Sequence, residues 1–286
     1  MSRAVFSGRF ASGFGRGWLV GGFLFLYLPM LTLIVYSFNK SPLPTVWGGF
    51  TLELYVKLAN DGEILSGLWL SLKIAFWSAT LSVVFGTMAA FALVKYKRFF
   101  ARTFFSGMVN APLVMPEVIQ GLSLLLMLVA IQKAVGLPER GFMTILLGHM
   151  VLGLAYGAVV ISARLQELNP QLEEAAMDLG ARPWAVFCLV TLPMIAQSLA
   201  SAWLLTFSLS LDDVVTSAFL SGPGATTLPL VIFSRARLGL SSSSINAVAT
   251  VTIVVVALCV TVASLIVARA ERRRAAEISA AQRDQR

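Results

Sequence analysis

The stretch NPQLEEAAMDLGARPWAVFCLVTLP, Asn169 to Pro193, decides how the rest of the chain is read. It lies between two long apolar segments, yet it carries Glu173, Glu174, Asp178 and Arg182. Asn169 suits an N-cap, and Pro170 suits the first helical position, where a missing N–H is no loss. Glu173 and Glu174 fall near the start of that helix, where aligned peptide dipoles favour a carboxylate. Gly180 can take the left-handed conformation that stops it. Arg182-Pro183 then opens a second helix, whose apolar run continues to Leu192-Pro193. The pattern predicts a short polar helix at a membrane face, with both ends fixed by membrane helices.

The rest of the chain fits that setting. Its 286 residues are 57% hydrophobic and 13% charged, with a mean hydropathy of +0.82. A water-soluble domain of this size needs far less apolar residue, so the solvent is a bilayer. The net charge of +8 sits in short basic runs beside apolar spans, the pattern of orientation signals. It does not form a nucleic-acid-binding face. Cys188 and Cys259 lie in apolar helical sequence with no metal-ligand spacing, and His149 is the only histidine. No phosphate-binding G-x-x-x-x-G-K-[ST] loop is present, so any ATP that drives this chain is bound by another subunit.

Residues 1–17 carry Arg3, Arg9 and Arg16 and no acid, and an apolar run from Trp18 to Phe38 follows. That run is longer than a signal-peptide core and lacks a small-x-small cleavage site, so it reads as an uncleaved first span. Further spans are expected at about Ser66–Val94, Phe104–Ile131 (broken by Pro112 and Pro116), Phe142–Ile161, a segment ending near Leu211, and Ile245–Ala268. Residues 212–244 read as a long loop and residues 271–286 as a polar tail. Of the 22 Lys and Arg, 15 fall in the two tails and the second and fourth loops. Six fall in the other loops, and Lys73 falls within a span. The positive-inside rule therefore places both termini and the central polar helix in the cytoplasm. A single all-helical membrane domain, about 18–270, is expected.

A charge at bilayer depth costs roughly 2.5 to 3.5 kcal/mol on insertion scales, so each one asks for a partner or a purpose. Glu117 sits in NAPLVMPEVIQG, where two prolines remove backbone donors and loosen the helix. Freed carbonyls beside a carboxylate suit a cation. The structural reading of Glu117 is an interface acid, neutralised by Arg or protonated. Asp212 and Asp213 end the fifth span. Neighbours on a helix point about 100° apart, so the two cannot both face one partner. Ser208 lies one turn before Asp212 and could hydrogen-bond it; a polar helix end at headgroup level is the plainer reading. Lys73 is expected to snorkel, and His149 to bridge two helices. Nothing here meets the geometric requirements of a catalytic site.

Glu174-Ala175-Ala176, Gly180 and Val190-Thr191-Leu192-Pro193 also resemble the EAA loop of permease subunits in bacterial binding-protein-dependent ABC importers. The family usually has Ile at Val190, a small departure. The resemblance implies a type I importer permease fold of six transmembrane helices in the inner membrane. Within it, a coupling loop of about 164–192 seats on a cytoplasmic ATPase through Glu173, Glu174, Ala175, Ala176, Asp178 and Gly180. A plain amphipathic connector is the competing reading. NAPLVMPEVIQGLSLLL, LSLDDVV, SGPGATTLPL and INAVAT further resemble the permeases of polyamine importers, the putrescine type above all. That family usually has Asp at Glu117. The resemblance implies no cofactor in this chain, with ATP and Mg used by two ATPase subunits. It also implies a second homologous permease and a periplasmic binding protein as partners, and Glu117, Asp212, Asp213 and Ser208 along the substrate path. Spermidine, ferric iron or a cationic amino acid are the alternative solutes. An ion-coupled secondary transporter is the alternative class.

Overall fold

A bilayer core offers no partner to a backbone N–H or C=O, so apolar runs of this length must fold as helices that satisfy themselves. The computed structural model describes residues 8–41, 46–96, 98–238 and 242–284. Arg3, Pro42, Pro44 and the first of the four serines, Ser241, lie outside the described residues. The helices are α1 (Gly8–Tyr36), α2 (Glu53–Ala59), α3 (Gly62–Lys95), α4 (Arg102–Val114), α5 (Glu117–Val135), α6 (Phe142–Glu167) and α7 (Pro170–Asp178). There follow α8 (Pro183–Val186), a π-helical turn (Phe187–Thr191), α9 (Leu192–Met194) and α10 (Ala196–Asp212). The series ends with α11 (Val215–Leu220), α12 (Leu228–Arg237) and α13 (Ser242–Asp284). Among the described residues the only β pairing is two isolated bridges, Asn39 with Phe50 and Gly222 with Ala225.

Among the described residues five helices are long and apolar enough to cross a membrane, with apolar spans at Gly17–Tyr36, Gly62–Lys95, Glu117–Val135, Phe142–Glu167 and Ile245–Val262. Pro183–Met194 and Ala196–Asp212 together form a sixth, bent by 68°. The expected third span is two helices. α4 tolerates Pro112, but the chain leaves the helix at Met115 and Pro116, where backbone angles are extended, and α5 restarts at Glu117. The expected loop after Leu211 contains α11 and α12; neither is long enough to show an apolar period in the sequence. α13 continues past its arginines because the tail is rich in Ala, Glu and Arg, all good helix formers.

The chain forms two compact units. One comprises residues up to Asp61 together with Ser234–Val254. In it, Asn39 is buried and orders its loop, donating to the Val46 carbonyl at 2.7 Å and accepting from the Gly48 N–H at 2.7 Å. Phe38 stacks on Phe50, and Arg235 grips Asp61 through two bonds of 2.7 and 3.0 Å. α1 is exposed along its apolar length.

The other unit, Gly62–Phe233 with the residues from Val255 onward, is built on α3, α6 and α10. Lipid tails are as apolar as leucine, so membrane helices associate through close backbone approach and hydrogen bonds between helices. α3 accordingly buries Ala75, Ser78, Ala79, Ser82, Gly86 and Ala90, and α6 meets it with Gly153, Gly157 and Ala158. Ser82 donates to the Met150 carbonyl at 3.2 Å across that contact. A Cβ on Gly86 would stand 3.1 Å from the Ala158 nitrogen and 3.2 Å from the Leu154 oxygen. Those are backbone atoms that cannot swing aside. Replacing Gly86 by Val is therefore expected to force α3 and α6 apart and cost roughly 1–3 kcal/mol. A lowered thermal midpoint of the purified protein in detergent would show it; an unchanged midpoint would mean the helices slide freely.

Candidate functional site

α7 has the ends its sequence requires. The Asn169 side chain accepts from the Gln171 N–H at 3.1 Å, with Pro170 opening the helix. At the other end Gly180 takes φ +87°. The Ala181 N–H reaches back to the Ala176 carbonyl at 3.1 Å, and the Gly180 N–H to Met177 at 2.8 Å. This is a Schellman ending, in which glycine supplies the left-handed residue without strain. Arg182 and Pro183 then start α8.

α7 buries none of its residues. Glu174, Ala175, Asp178 and Gly180 are exposed, beside exposed Leu172 and Leu179, while Ala176 is half-buried. The exposed surface therefore mixes two carboxylates with apolar side chains. Glu173 is placed differently. One of its oxygens accepts from Lys95, the last residue of α3, at 2.6 Å. The other accepts from the buried Thr191 hydroxyl, at the end of the π-helical turn, at 2.8 Å. Only 18% of the Glu173 side chain is exposed. Beside α7 lies a cavity of about 1100 Å³, bordered by Ser106, Asn110, Ser162 and Gln166 as well as Glu173 and Glu174.

The two aspartates at the end of α10 part company, as their helical spacing requires. Asp213 turns inward and accepts from the backbone N–H groups of Thr216 and Ser217, at 3.2 and 2.8 Å, capping α11. Its carboxylate also lies 3.1 Å from Nε2 of His149 on α6. His149 is buried and hydrogen-bonds Ser210 at 2.7 Å and Ser217 at 3.1 Å. Ser78 of α3 donates to Ser210 at 3.1 Å. One polar network thus ties α3, α6, α10 and α11 within apolar surroundings, and His149 bridges helices as the sequence suggests.

Asp212 is exposed on the surface of the chain, within electrostatic reach of Glu117, Asp213 and His149. Glu117 is exposed as well, in the first turn of α5 beside the Pro116 break. The fold therefore leaves both acids, on different spans, uncovered by their own chain. Ser208 is half-buried, and among the described residues no hydrogen bond joins it to Asp212. Gln120, one turn beyond Glu117, is buried with neither side-chain amide atom hydrogen-bonded. Lys73 lies 5.3 Å from the centre of the Trp69 ring. Among the described residues no group of His, Cys, Asp and Glu could hold a metal ion.

Residues 82–276 match the family described as the binding-protein-dependent transport system inner membrane component. The chain belongs to that family. Among curated relatives it is 50% identical over 266 residues, 93% of this chain and 94% of the relative, to the putrescine transport system permease protein PotI of Escherichia coli K12. It is 36% identical over 255 residues, 88% of this chain and 93% of the relative, to the spermidine/putrescine transport system permease protein PotC of the same organism. Among solved structures, a bacterial alginate ABC transporter chain superimposes with a TM-score of 0.67 at 17% identity, covering 88% of this chain and 94% of that one. A chain of the MetNI methionine ABC transporter gives 0.60 at 20% identity, covering 77% and 99%. The fold is that of type I ABC importer permeases, with five unbroken spans and one bent one. As an inner membrane component of such a system, the chain is a non-catalytic permease subunit that works with an ATPase and a substrate-binding protein.

Two features of this family member were not visible in its sequence. The Glu173 bracket joins residues 78 and 18 positions apart, a separation that no helical period connects. The polar network joins four helices, of which the sequence suggested only a two-helix bridge at His149; the serines Ser78, Ser210 and Ser217 were its other signal. Replacing His149 by Ala would leave Asp213 and Ser210 short of a partner inside the protein. The expected loss is roughly 1–3 kcal/mol, read as a lower unfolding midpoint with the ATPase still co-purifying. A full-strength midpoint would show that the network contributes nothing.

Proposed function

We propose that this permease subunit moves a polyamine, putrescine foremost, from periplasm to cytoplasm by ATP-driven alternating access. The observation that carries the reading is that Glu117 and Asp212, acids of two different apolar spans, are both left uncovered by their own chain. A carboxylate at bilayer depth does not face lipid, so the two face a path completed by a second, homologous permease. Glu117 opens α5 beside the Pro116 break, where the backbone leaves the helix. A diamine is a flexible dication with an apolar middle, and two separated carboxylates on apolar helices match it. An anion path would need arginines at depth, and none lies mid-span. The identity to PotI supports putrescine, and that to PotC supports spermidine as the second reading.

In this reading both termini and α7 lie in the cytoplasm, in line with the basic loops. A periplasmic binding protein delivers the substrate, and two ATPase subunits use ATP and Mg. The exposed acids and apolar side chains of α7 seat in an ATPase groove. Closure of the ATPases draws the coupling helices together and swings the spans as rigid bodies. Glu117 and Asp212 serve as a weak way station, since tight binding would stop release. The cavity beside α7 is the route out.

Labelled putrescine uptake tests the substrate in cells carrying the rest of the system, with spermidine, arginine and iron as competitors. Loss of uptake on deleting this chain, with competition by polyamines alone, is the expected result; competition by arginine or iron would replace the substrate class. Glu117→Gln is expected to reduce uptake about tenfold or more while the complex still assembles. Kinetics equal to wild type would remove Glu117 from the path. Glu174→Ala or Gly180→Val is expected to leave hydrolysis running without transport, and normal transport in both would end the coupling assignment.

A further inference from the structure

A helix that buries none of its own residues needs something else to fix its direction. Among the described residues, Glu173 is the α7 side chain whose hydrogen bonds reach other helices, and it uses both oxygens to do so. An exposed ion pair would be screened and worth little. This one is mostly enclosed, with Glu173 18% and Lys95 23% exposed, and at 2.6 Å the ammonium is in direct charge-assisted hydrogen-bond contact with the carboxylate. Its partners are the last residues of two other segments. Lys95 closes α3, the helix against which α6 and α10 pack. Thr191 closes the π-helical turn, just before the 68° bend that leads into α10 and so to Asp212.

We propose that Glu173 is a positioning residue that locks α7, the end of α3 and the π-helical turn into one lever, and does not itself contact the ATPase. The inference rests on α7 being the coupling helix. A push on α7 then passes through Lys95 to the core and through Thr191 to the bend, tilting the helix that carries Asp212. Without the bracket α7 still docks, through Glu174, Asp178 and its exposed apolar side chains, but it swivels on its two chain ends. ATP is then hydrolysed without moving the spans.

The test uses the whole transporter in proteoliposomes, with its binding protein and labelled putrescine. Three quantities are read together: ATPase retained, ATP hydrolysed, and putrescine moved per ATP. Glu173→Gln keeps an acceptor for Thr191 but loses the charge for Lys95. It is expected to retain the ATPase and to lower putrescine moved per ATP about tenfold. Glu173→Lys is expected to uncouple further, and adding Lys95→Glu to it is expected to recover several-fold, because the ion pair is restored in reverse. A merely structural role would lower assembly and leave the ratio of transport to hydrolysis alone. Three results would overturn the proposal: an unchanged ratio in Glu173→Lys, no recovery in the reversed pair, or loss of the ATPase from Glu173→Gln. The last would make Glu173 a docking residue. Failure of the coupling reading itself looks different: a photo-crosslinking residue in place of Glu174 would give no adduct with the ATPase.

Discussion

Inside a bilayer an unpaired backbone or side-chain polar group costs several kcal/mol, and no water is at hand to relieve it. That constraint explains why nearly every described residue of the apolar runs is helical, and why serine and threonine hydroxyls turn back onto carbonyls of their own helix, as Thr80 and Thr206 do. It also gives meaning to the places where regular helix fails. The break at Met115 and Pro116 and the bend at Ile195 interrupt helices of the apolar runs. The first adjoins Glu117, and the second lies at the start of α10.

Helix association in such a solvent depends on close contact. Gly86, Ala158 and Gly153 let α3 and α6 approach until Ser82 reaches a main-chain carbonyl of the other helix. The same closeness permits the network from Ser78 through Ser210 and His149 to Asp213. With Asp213 occupied in capping α11, its neighbour Asp212 is left facing outward. Packing therefore sorts two adjacent acids into a structural one and an uncovered one.

The family setting makes those geometries mechanical. In the proposed coupling, movement at α7 becomes movement of the spans, which requires a docking surface and a stiff connection. α7 has both kinds of acid: Glu174 and Asp178 on the exposed surface, and Glu173 fastened beneath. Sequence alone grouped these three together, because they sit within one and a half turns of a helix whose inner side is not marked by apolar residues.

Much of the molecule is legible in its residues. Composition fixes the bilayer, apolar length fixes the spans, and Asn169-Pro170 with Gly180 fixes both ends of α7. These are local signals, decided within a turn or two of the chain. Other features were beyond such signals: the broken third span, the helices α11 and α12, and the pairing of Lys95 and Thr191 with Glu173. So was the separation of Asp212 from Asp213. Each depends on which helices stand side by side, and residues far apart in sequence meet only once the bundle is packed. Sequence by itself determined that the chain is a six-span permease with a capped polar helix between its spans. The tertiary structure alone decided which acids are bound inside and which are left uncovered, because burial and pairing are properties of neighbours that the chain brings together only by folding.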